Sequence, residues 1–326
     1  MLVNARDARA FCRTGTCPLP ATFQPTEERC EPEGFVSCEI SGTTVRNIPL
    51  WWKNECVGYS LQKDASKYIT LAEATQAMAR AFGAWTGATC PGTPSLAAHD
   101  LGPVTCGEAA FHLDTANQHV VVFRDSAWPH KTPEQELLKQ PSPTIALTTV
   151  SFNRDTGEIL DSDIELNTAD HKSVLTDSPS AGTYDLESVL THEAGHFLGL
   201  AHSPDRTAVM YYEDEGGSSR HRALASDDVD AICTVYPPGG KRLVDKQTNP
   251  RGEVVAAACD PAPRNGQGDA CGAPSQAGKK GGCSAANGSR EGALPIALLG
   301  ALAVVRCRRR RPSHVRSPGA ARPSHR

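Results

Sequence analysis

The stretch that decides the fold and the site reads His192-Glu193-Ala194-Gly195-His196-Phe197-Leu198-Gly199-Leu200-Ala201-His202. Residues four apart lie on one face of an α-helix, so His192 and His196 are expected to bind one metal ion from the same side. Gly199 lets the backbone leave the helix with a positive φ and brings His202 round as a third ligand. Three neutral imidazoles leave one tetrahedral position open, which is typical of a catalytic zinc site.

Glu193 follows the first histidine and is predicted to be a general base. Zinc lowers the pKa of a bound water from ~15.7 toward ~7. Glu193 would take the proton as the water attacks a peptide carbonyl and would pass it to the leaving amine. A bare His-Glu-x-x-His pattern also arises by chance among ordinary surface or core histidines. The glycine and the third histidine at fixed spacing favour the zinc site.

The residues on both sides of this motif support a helix that leads into a buried turn. Asp185 is an acceptable N-cap, and an apolar stripe from Leu186 to Phe197 is expected to face the core, opposite the histidines. Downstream comes Ala208-Val209-Met210-Tyr211. A methionine a few residues past the third histidine is typical of the Met-turn of the metzincin metallopeptidases.

On these motifs the chain resembles the metzincins, and within them the matrixins of bacterial type. Ser203 after the third histidine, the segment 156–167 and the segment 227–232 are similar to matrixins, and the resemblance covers roughly residues 46–236. It implies an α+β fold with a twisted, mixed, mostly parallel sheet, two long helices and a C-terminal helix after the Met-turn. It also implies these roles: zinc ligands His192, His196 and His202, general base Glu193, and Met-turn residue Met210.

The chain departs from the family at several positions. No Pro-Arg-Cys-Gly-x-Pro-Asp cysteine switch is present, and Cys17 is expected to form a disulfide instead. Tyr212 stands where matrixins usually have proline. Astacins and serralysins place a tyrosine there, so Tyr212 is a hypothetical oxyanion stabiliser, the alternative being a packed aromatic.

Animal relatives also carry a second zinc and several calcium ions. The histidine pattern for the second zinc is not evident here. Oxygens for Ca²⁺ could come from four aspartates, although acidic loops are usually just solvated: Asp161, Asp163, Asp177 and Asp185.

The 12 cysteines include no Cys-x-x-Cys pair, which disfavours zinc ribbons. We expect disulfides, and hence an oxidising, exported setting. Cys90 and Cys106 are the best local pair, and Cys259 and Cys271 could close a small loop. The cysteines expected to form disulfides are Cys12, Cys17, Cys30, Cys38, Cys56, Cys90, Cys106 and Cys233. Residues 1–10 lack the apolar core of a signal peptide, so we predict an upstream start.

Local patterns predict the main elements. Thr70 to Glu73 is a capping box, followed by a helix that ends at Gly87 and has a core-facing stripe at Ala74, Met78, Phe82 and Trp85. Buried strands are expected at residues 120–123 and 145–152, and a half-exposed strand at 163–167. Ser226 is expected to cap a last helix that Pro237 and Pro238 stop. By the resemblance, the neighbouring edge strand binds a substrate peptide by strand addition.

Composition divides the chain into five parts. Residues 1–45 are predicted to be a Cys-rich N-terminal extension, 46–237 the metallopeptidase domain, 238–291 a flexible linker, 292–311 an apolar and Arg-rich tail, and 312–326 a disordered end. The apolar run 293–305 would span ~20 Å as a helix, short of the ~30 Å bilayer core. With Cys283 as a processing point, this tail looks like the sorting tails of myxobacterial exported proteins, in contact with the membrane.

Charge argues against nucleic acid as a partner. Eight arginines lie from residue 306 onward, so removing them from the formal net charge of −4 leaves about −12 for the rest. The leading hypothesis is an exported, monomeric zinc endopeptidase acting on protein or peptide substrates at or beyond the cell surface. The alternatives are a catalytically silent zinc-fold binding or adhesion module, and a structural surface component.

Overall fold

The computed structural model describes residues 11–17, 37–214 and 216–271, and the backbone of a strand at 291–297. Along these residues the strands are β1 (Ser37–Ile40), β2 (Thr43–Arg46), β3 (Cys56–Leu61), β4 (Ala97–Asp100), β5 (Val120–Phe123), β6 (Ala146–Asn153), β7 (Ile159–Leu166), β8 (Lys172–Val174), β9 (Thr183–Asp185), β10 (Lys241–Leu243), β11 (Glu253–Val255) and β12 (Glu291–Ala297). The helices are α1 (Leu71–Thr86), α2 (Pro133–Leu138), α3 (Leu186–Phe197) and α4 (Ser226–Val235).

A six-stranded sheet in the order β12-β6-β7-β5-β3-β4 forms the framework of the domain. Strands β4, β3, β5 and β7 are parallel to one another. Strand β6 is antiparallel to β7, and β12 pairs with the outer edge of β6, antiparallel to it. This arrangement confirms the predicted α+β fold with a mixed, mostly parallel sheet.

Helices α1 and α3 pack against each other and share one hydrophobic core with the sheet. The capping box predicted at Thr70 starts α1, with the Thr70 side chain accepting from the Glu73 N–H. The predicted stripe of α1 is buried, and its last member, Trp85, donates from the indole N–H to the Thr191 carbonyl of α3 at 2.8 Å. This hydrogen bond fixes the metal-motif helix against the rest of the core.

Strand β7 corrects one prediction. The alternation of polar and apolar residues from Asp163 to Asn167 predicts a half-exposed strand, but every residue of β7 is buried. Strand β7 lies inside the sheet, with β6 along one edge and β5 along the other. Glu165 is one of these buried polar side chains, and it binds Arg124 and His130.

Residues on both sides of the predicted domain 46–237 pack against it. Phe11 belongs to the core, and the N–H of Thr14 donates to the Gly199 carbonyl just after α3. The predicted linker 238–291 is corrected over its first part, since 238–271 contains β10 and β11. Arg242 is fully buried there and donates to Trp52, Asn54 and Ser95.

The disulfides show that the two local cysteine pairs predicted from the sequence are wrong. Cys90 bonds to Cys233 and Cys106 to Cys271, so Cys90 does not pair with Cys106. Cys259 bonds to Cys56, so it does not close a loop with Cys271. Cys17 bonds to Cys38, and Cys12 is also disulfide-bonded. Cys30 and Cys283 lie outside the described residues.

The apolar tail enters the sheet instead of forming a helix where it is described. Glu291–Ala297 pairs with β6 as strand β12. No helix of the described residues has the length and apolar character needed to cross a bilayer. Residues 298–326, which carry the arginine cluster, lie outside the described residues.

Candidate metal and catalytic site

Helix α3 positions the metal motif in the interior of the protein. Asp185 caps it, as predicted, by accepting from the Ser188 N–H at 2.9 Å. Every residue of α3 is buried, so its polar and apolar faces are both covered. Gly199 then adopts φ 90°, the left-handed conformation that the sequence predicts.

The structure brings His192, His196 and His202 together. The Nε2 atom of His196 lies 3.1 Å from that of His192 and 3.2 Å from that of His202. The ring Nδ1 atoms of His192 and His196 contact the carbonyls of Val209 and Leu200 at 2.7 and 2.9 Å. Because a carbonyl only accepts, both Nδ1 atoms carry the hydrogen and both Nε2 atoms present a lone pair.

The lone pairs of His192 and His196 at this distance repel each other unless a cation lies between them. A tetrahedral zinc ion with Zn–N bonds of about 2.0–2.1 Å separates its nitrogen ligands by about 3.3 Å, which matches the observed spacing. Burial lowers the pKa of His196 to about 4 and the pKa values of His192 and His202 well below the ordinary value. The three imidazoles are thus neutral and able to bind a metal.

Glu193 lies on helix α3, directly after His192. It is fully buried, and the Thr148 hydroxyl of β6 donates to its Oε2 at 2.5 Å. Its Oε1 has no hydrogen-bond partner in the described part of the chain. Burial raises the pKa of Glu193 to about 8, and the Thr148 hydrogen bond acts against that rise. The free oxygen is the one that can accept a proton.

Met210 packs against helix α3, in a turn whose backbone is held by helix α4. The Val209 and Met210 N–H groups donate to the Asp228 carboxylate of α4 at 2.7 and 3.1 Å. A Cβ added to Gly195 would overlap the Met210 Sδ atom. Methionine and helix α3 therefore pack together only because residue 195 is glycine.

Tyr212 lies near the third histidine. Its ring centroid is 6.5 Å from that of His202 and 4.6 Å from that of Tyr211.

The four aspartates considered for calcium fall into two places. Arg222 binds both Asp177 and Asp185, whereas Asp161 and Asp163 are buried side by side on β7. None of the four belongs to a metal-competent group of three among the described residues.

Sequence reasoning missed Thr148, Asp228 and Gly195 as parts of the site. Asp228 lies in the segment 227–232, and Gly195 lies between the first two histidines of the metal motif, but neither pattern indicates a contact with the Met210 turn. Nothing near Thr148 in the sequence connects it with Glu193, since β6 and α3 meet only in the folded chain.

The mixed sheet, the buried helix with two of the three histidines, and the methionine turn that contacts this helix are the features that the resemblance to metzincins implies. Residues 86–237 match the family model described as Matrixin. The chain is 47% identical over 62 residues to metalloendoproteinase 1 of Glycine max, covering 19% of this chain and 20% of the relative. It is 35% identical over 82 residues to neutrophil collagenase of Homo sapiens, covering 25% and 16%.

A third relative is matrix metalloproteinase-27 of Homo sapiens, 37% identical over 78 residues that cover 24% of this chain and 14% of the relative. The chain thus spans about a fifth or less of the length of these curated relatives. Together, the family match and the relatives show that this part of the chain is similar to matrixins.

Proposed function

We propose that this protein is an exported zinc-dependent endopeptidase that hydrolyses peptide bonds in protein substrates. The observation that carries the proposal is the convergence of three neutral histidine nitrogens, 3.1 and 3.2 Å apart, beside a buried glutamate with one free oxygen. The named relatives are themselves proteinases. The bonded cysteines support an oxidising environment and hence export.

Each protein residue has a definite task in this reaction. His192, His196 and His202 would hold the zinc ion, which supplies Lewis acidity when bound: it activates water as a nucleophile and polarises the substrate carbonyl. Glu193 Oε1 accepts a proton as water adds to the carbonyl carbon, and returns it to the amine nitrogen as the C–N bond breaks. Thr148 holds Oε2, so the carboxylate keeps one orientation.

The direct test uses the full chain produced under oxidising conditions. We expect about one zinc per chain, cleavage of unfolded casein, and loss of cleavage on chelation that added zinc restores. Glu193→Ala should retain zinc and lose at least about a thousandfold in kcat/KM, because the proton carrier is gone. A wild-type protein that binds zinc and cleaves nothing would favour the silent binding or adhesion module instead.

Tyr212 is a second catalytic candidate within this proposal. Its place beside His202 supports a role in stabilising the developing oxyanion. If Tyr212 has this role, Tyr212→Phe loses about 100- to 1,000-fold in kcat with KM little changed. A kcat/KM equal to that of the wild type would leave Tyr212 as a packed aromatic.

A further inference from the structure

Strand β6 lines the candidate site on the side of Glu193, and its outer edge is paired with β12. The register places Ile296 opposite Thr148, the residue whose hydroxyl binds Glu193. Strand β12, which is distant in sequence, therefore lies beside the β6 residue that binds the proposed general base.

The backbone groups on this edge can be assigned. The Asn167 N–H donates to the Ile145 carbonyl at 2.8 Å, on the β7 side. Alternate residues of a strand direct their N–H and C=O groups to opposite neighbours. Ala146, Thr148 and Val150 therefore direct theirs to the outer edge, where an extended peptide binds by strand addition.

The position of Pro295 agrees with this assignment. Pro295 lies opposite Thr149, whose backbone groups point toward β7. Proline has no N–H to donate, and this register position requires none. Leu294 and Ile296, on either side, lie opposite outward-facing residues of β6 and donate their N–H groups to it.

We propose that Glu291–Ala297 is an internal occupant of the substrate-binding edge and competes there with protein substrates. The inference rests on the endopeptidase function proposed above. A substrate and β12 require the same N–H and C=O groups of β6, so the two cannot bind together. Because β12 belongs to the same chain, its local concentration favours it over free substrate.

The occupant also indicates the chemistry that the edge accepts. Its sequence, Glu-Gly-Ala-Leu-Pro-Ile-Ala, carries one charge at its start and is otherwise uncharged. We therefore expect the edge to take extended, mainly apolar peptide segments and to tolerate proline where the N–H points away from β6.

The test compares two proline variants of the zinc-loaded full chain. Leu294→Pro removes an N–H that bonds to β6, whereas Ala293→Pro removes one that points away and serves as the matched control. We expect Leu294→Pro to increase amide exchange at Thr148 and Val150 and to raise kcat/KM about tenfold or more. Ala293→Pro should leave both quantities near the wild-type values.

Exchange and activity separate the outcomes. Equal exchange in the two variants would show that β12 does not hold the edge and would overturn the inference. Faster exchange in Leu294→Pro with unchanged, measurable kcat/KM would overturn it as well, since occupation would then not obstruct substrates. Faster exchange with no cleavage by any variant would reject the endopeptidase function while the strand pairing stood.

Discussion

Gly195 shows how a single missing side chain permits the site to form. It lies between His192 and His196 on α3, where a Cβ would overlap the Met210 Sδ atom and approach the Trp85 ring. Met210 and helix α1 therefore both meet the metal-motif helix at this one small residue. A fixed glycine between the two histidines is thus a packing requirement in this chain.

We expect Gly195→Ala to destabilise the protein by about 1–3 kcal/mol through overpacking and to weaken zinc binding, as His192 or Met210 moves. Gly83→Ala is the matched control, because nothing lies within 4 Å of a Cβ at that helical position. It should be neutral or stabilising by up to about 1 kcal/mol. Denaturant unfolding and zinc titration measure both, and equal unfolding midpoints would contradict the packing role.

Asp161 and Asp163 form a second residue-scale feature, a buried carboxyl pair on β7. Burial raises the pKa of Asp163 to about 8, and burial together with the nearby Asp163 carboxyl raises that of Asp161 well above its ordinary value. His119, 3.8 Å away from Asp161, has its pKa lowered to about 4 by burial. At pH 7 the His119 ring in this contact is therefore neutral.

The free energy of unfolding should consequently fall as pH rises toward 8. The native state keeps the Asp163 proton up to pH about 8, whereas the unfolded chain releases it near pH ~4. Between these two pH values, the free energy of unfolding falls by about 1.4 kcal/mol for each pH unit. His119 acts in the opposite direction only below about pH 6.5. Measured between pH 6.5 and 7.5 with chelator present, Asp163→Asn should reduce the slope by about one proton. Identical slopes would contradict the raised pKa.

At the scale of elements, helix α4 holds the turn that contains Val209 and Met210. The Asp228 carboxylate is buried and accepts from the N–H groups of Val209, Met210 and Ala225. Ser203, just after the third histidine, donates to the neighbouring Asp227 at 2.6 Å. The closing helix thus fixes both ends of the segment that connects the histidines with Met210.

We expect Asp228→Ala to destabilise the protein by about 2–5 kcal/mol, because it leaves buried N–H groups without acceptors. The fluorescence of Tyr211 and Tyr212 should change with it as the turn loosens. Asp230→Ala is the control on the same helix, since Asp230 is exposed, and should change stability by no more than about 0.5 kcal/mol. A loss below 1 kcal/mol for Asp228→Ala would argue against its structural role.

At the scale of the whole molecule, residues 238–271 complete the domain. Two disulfides, Cys56–Cys259 and Cys106–Cys271, join this segment to the sheet region. Arg242 is fully buried, lies 4.9 Å over the Tyr236 ring and donates to the backbone of the segment that precedes β3. The folding unit therefore extends past the end of α4.

A chain ending at residue 240 should fail to fold, whereas one ending at residue 271 should fold. The shorter chain loses two disulfides, each worth about 2–5 kcal/mol, and the Arg242 contacts, against a total stability of about 5–15 kcal/mol. Near-UV circular dichroism and limited proteolysis compare the two under oxidising conditions. A cooperative unfolding transition in the shorter chain would contradict this prediction.

The sequence by itself determined the elements whose physics is local. The capping box at Thr70, the N-cap at Asp185 and the positive φ of Gly199 depend on neighbours within a few residues, so their patterns are readable along the chain. The histidine spacing predicted the cluster that the structure brings together for the same reason: one helix turn and one glycine relate the three side chains.

Only the tertiary structure decided what joins distant segments. The partners of Cys90 and Cys259 lie 143 and 203 residues away, and such pairings depend on which strands become neighbours. The Thr148 contact with Glu193 and the pairing of β12 with β6 have the same origin. Hydrophobic burial is non-directional and hydrogen bonds act only at contact, so these residues find their partners once the whole core is packed.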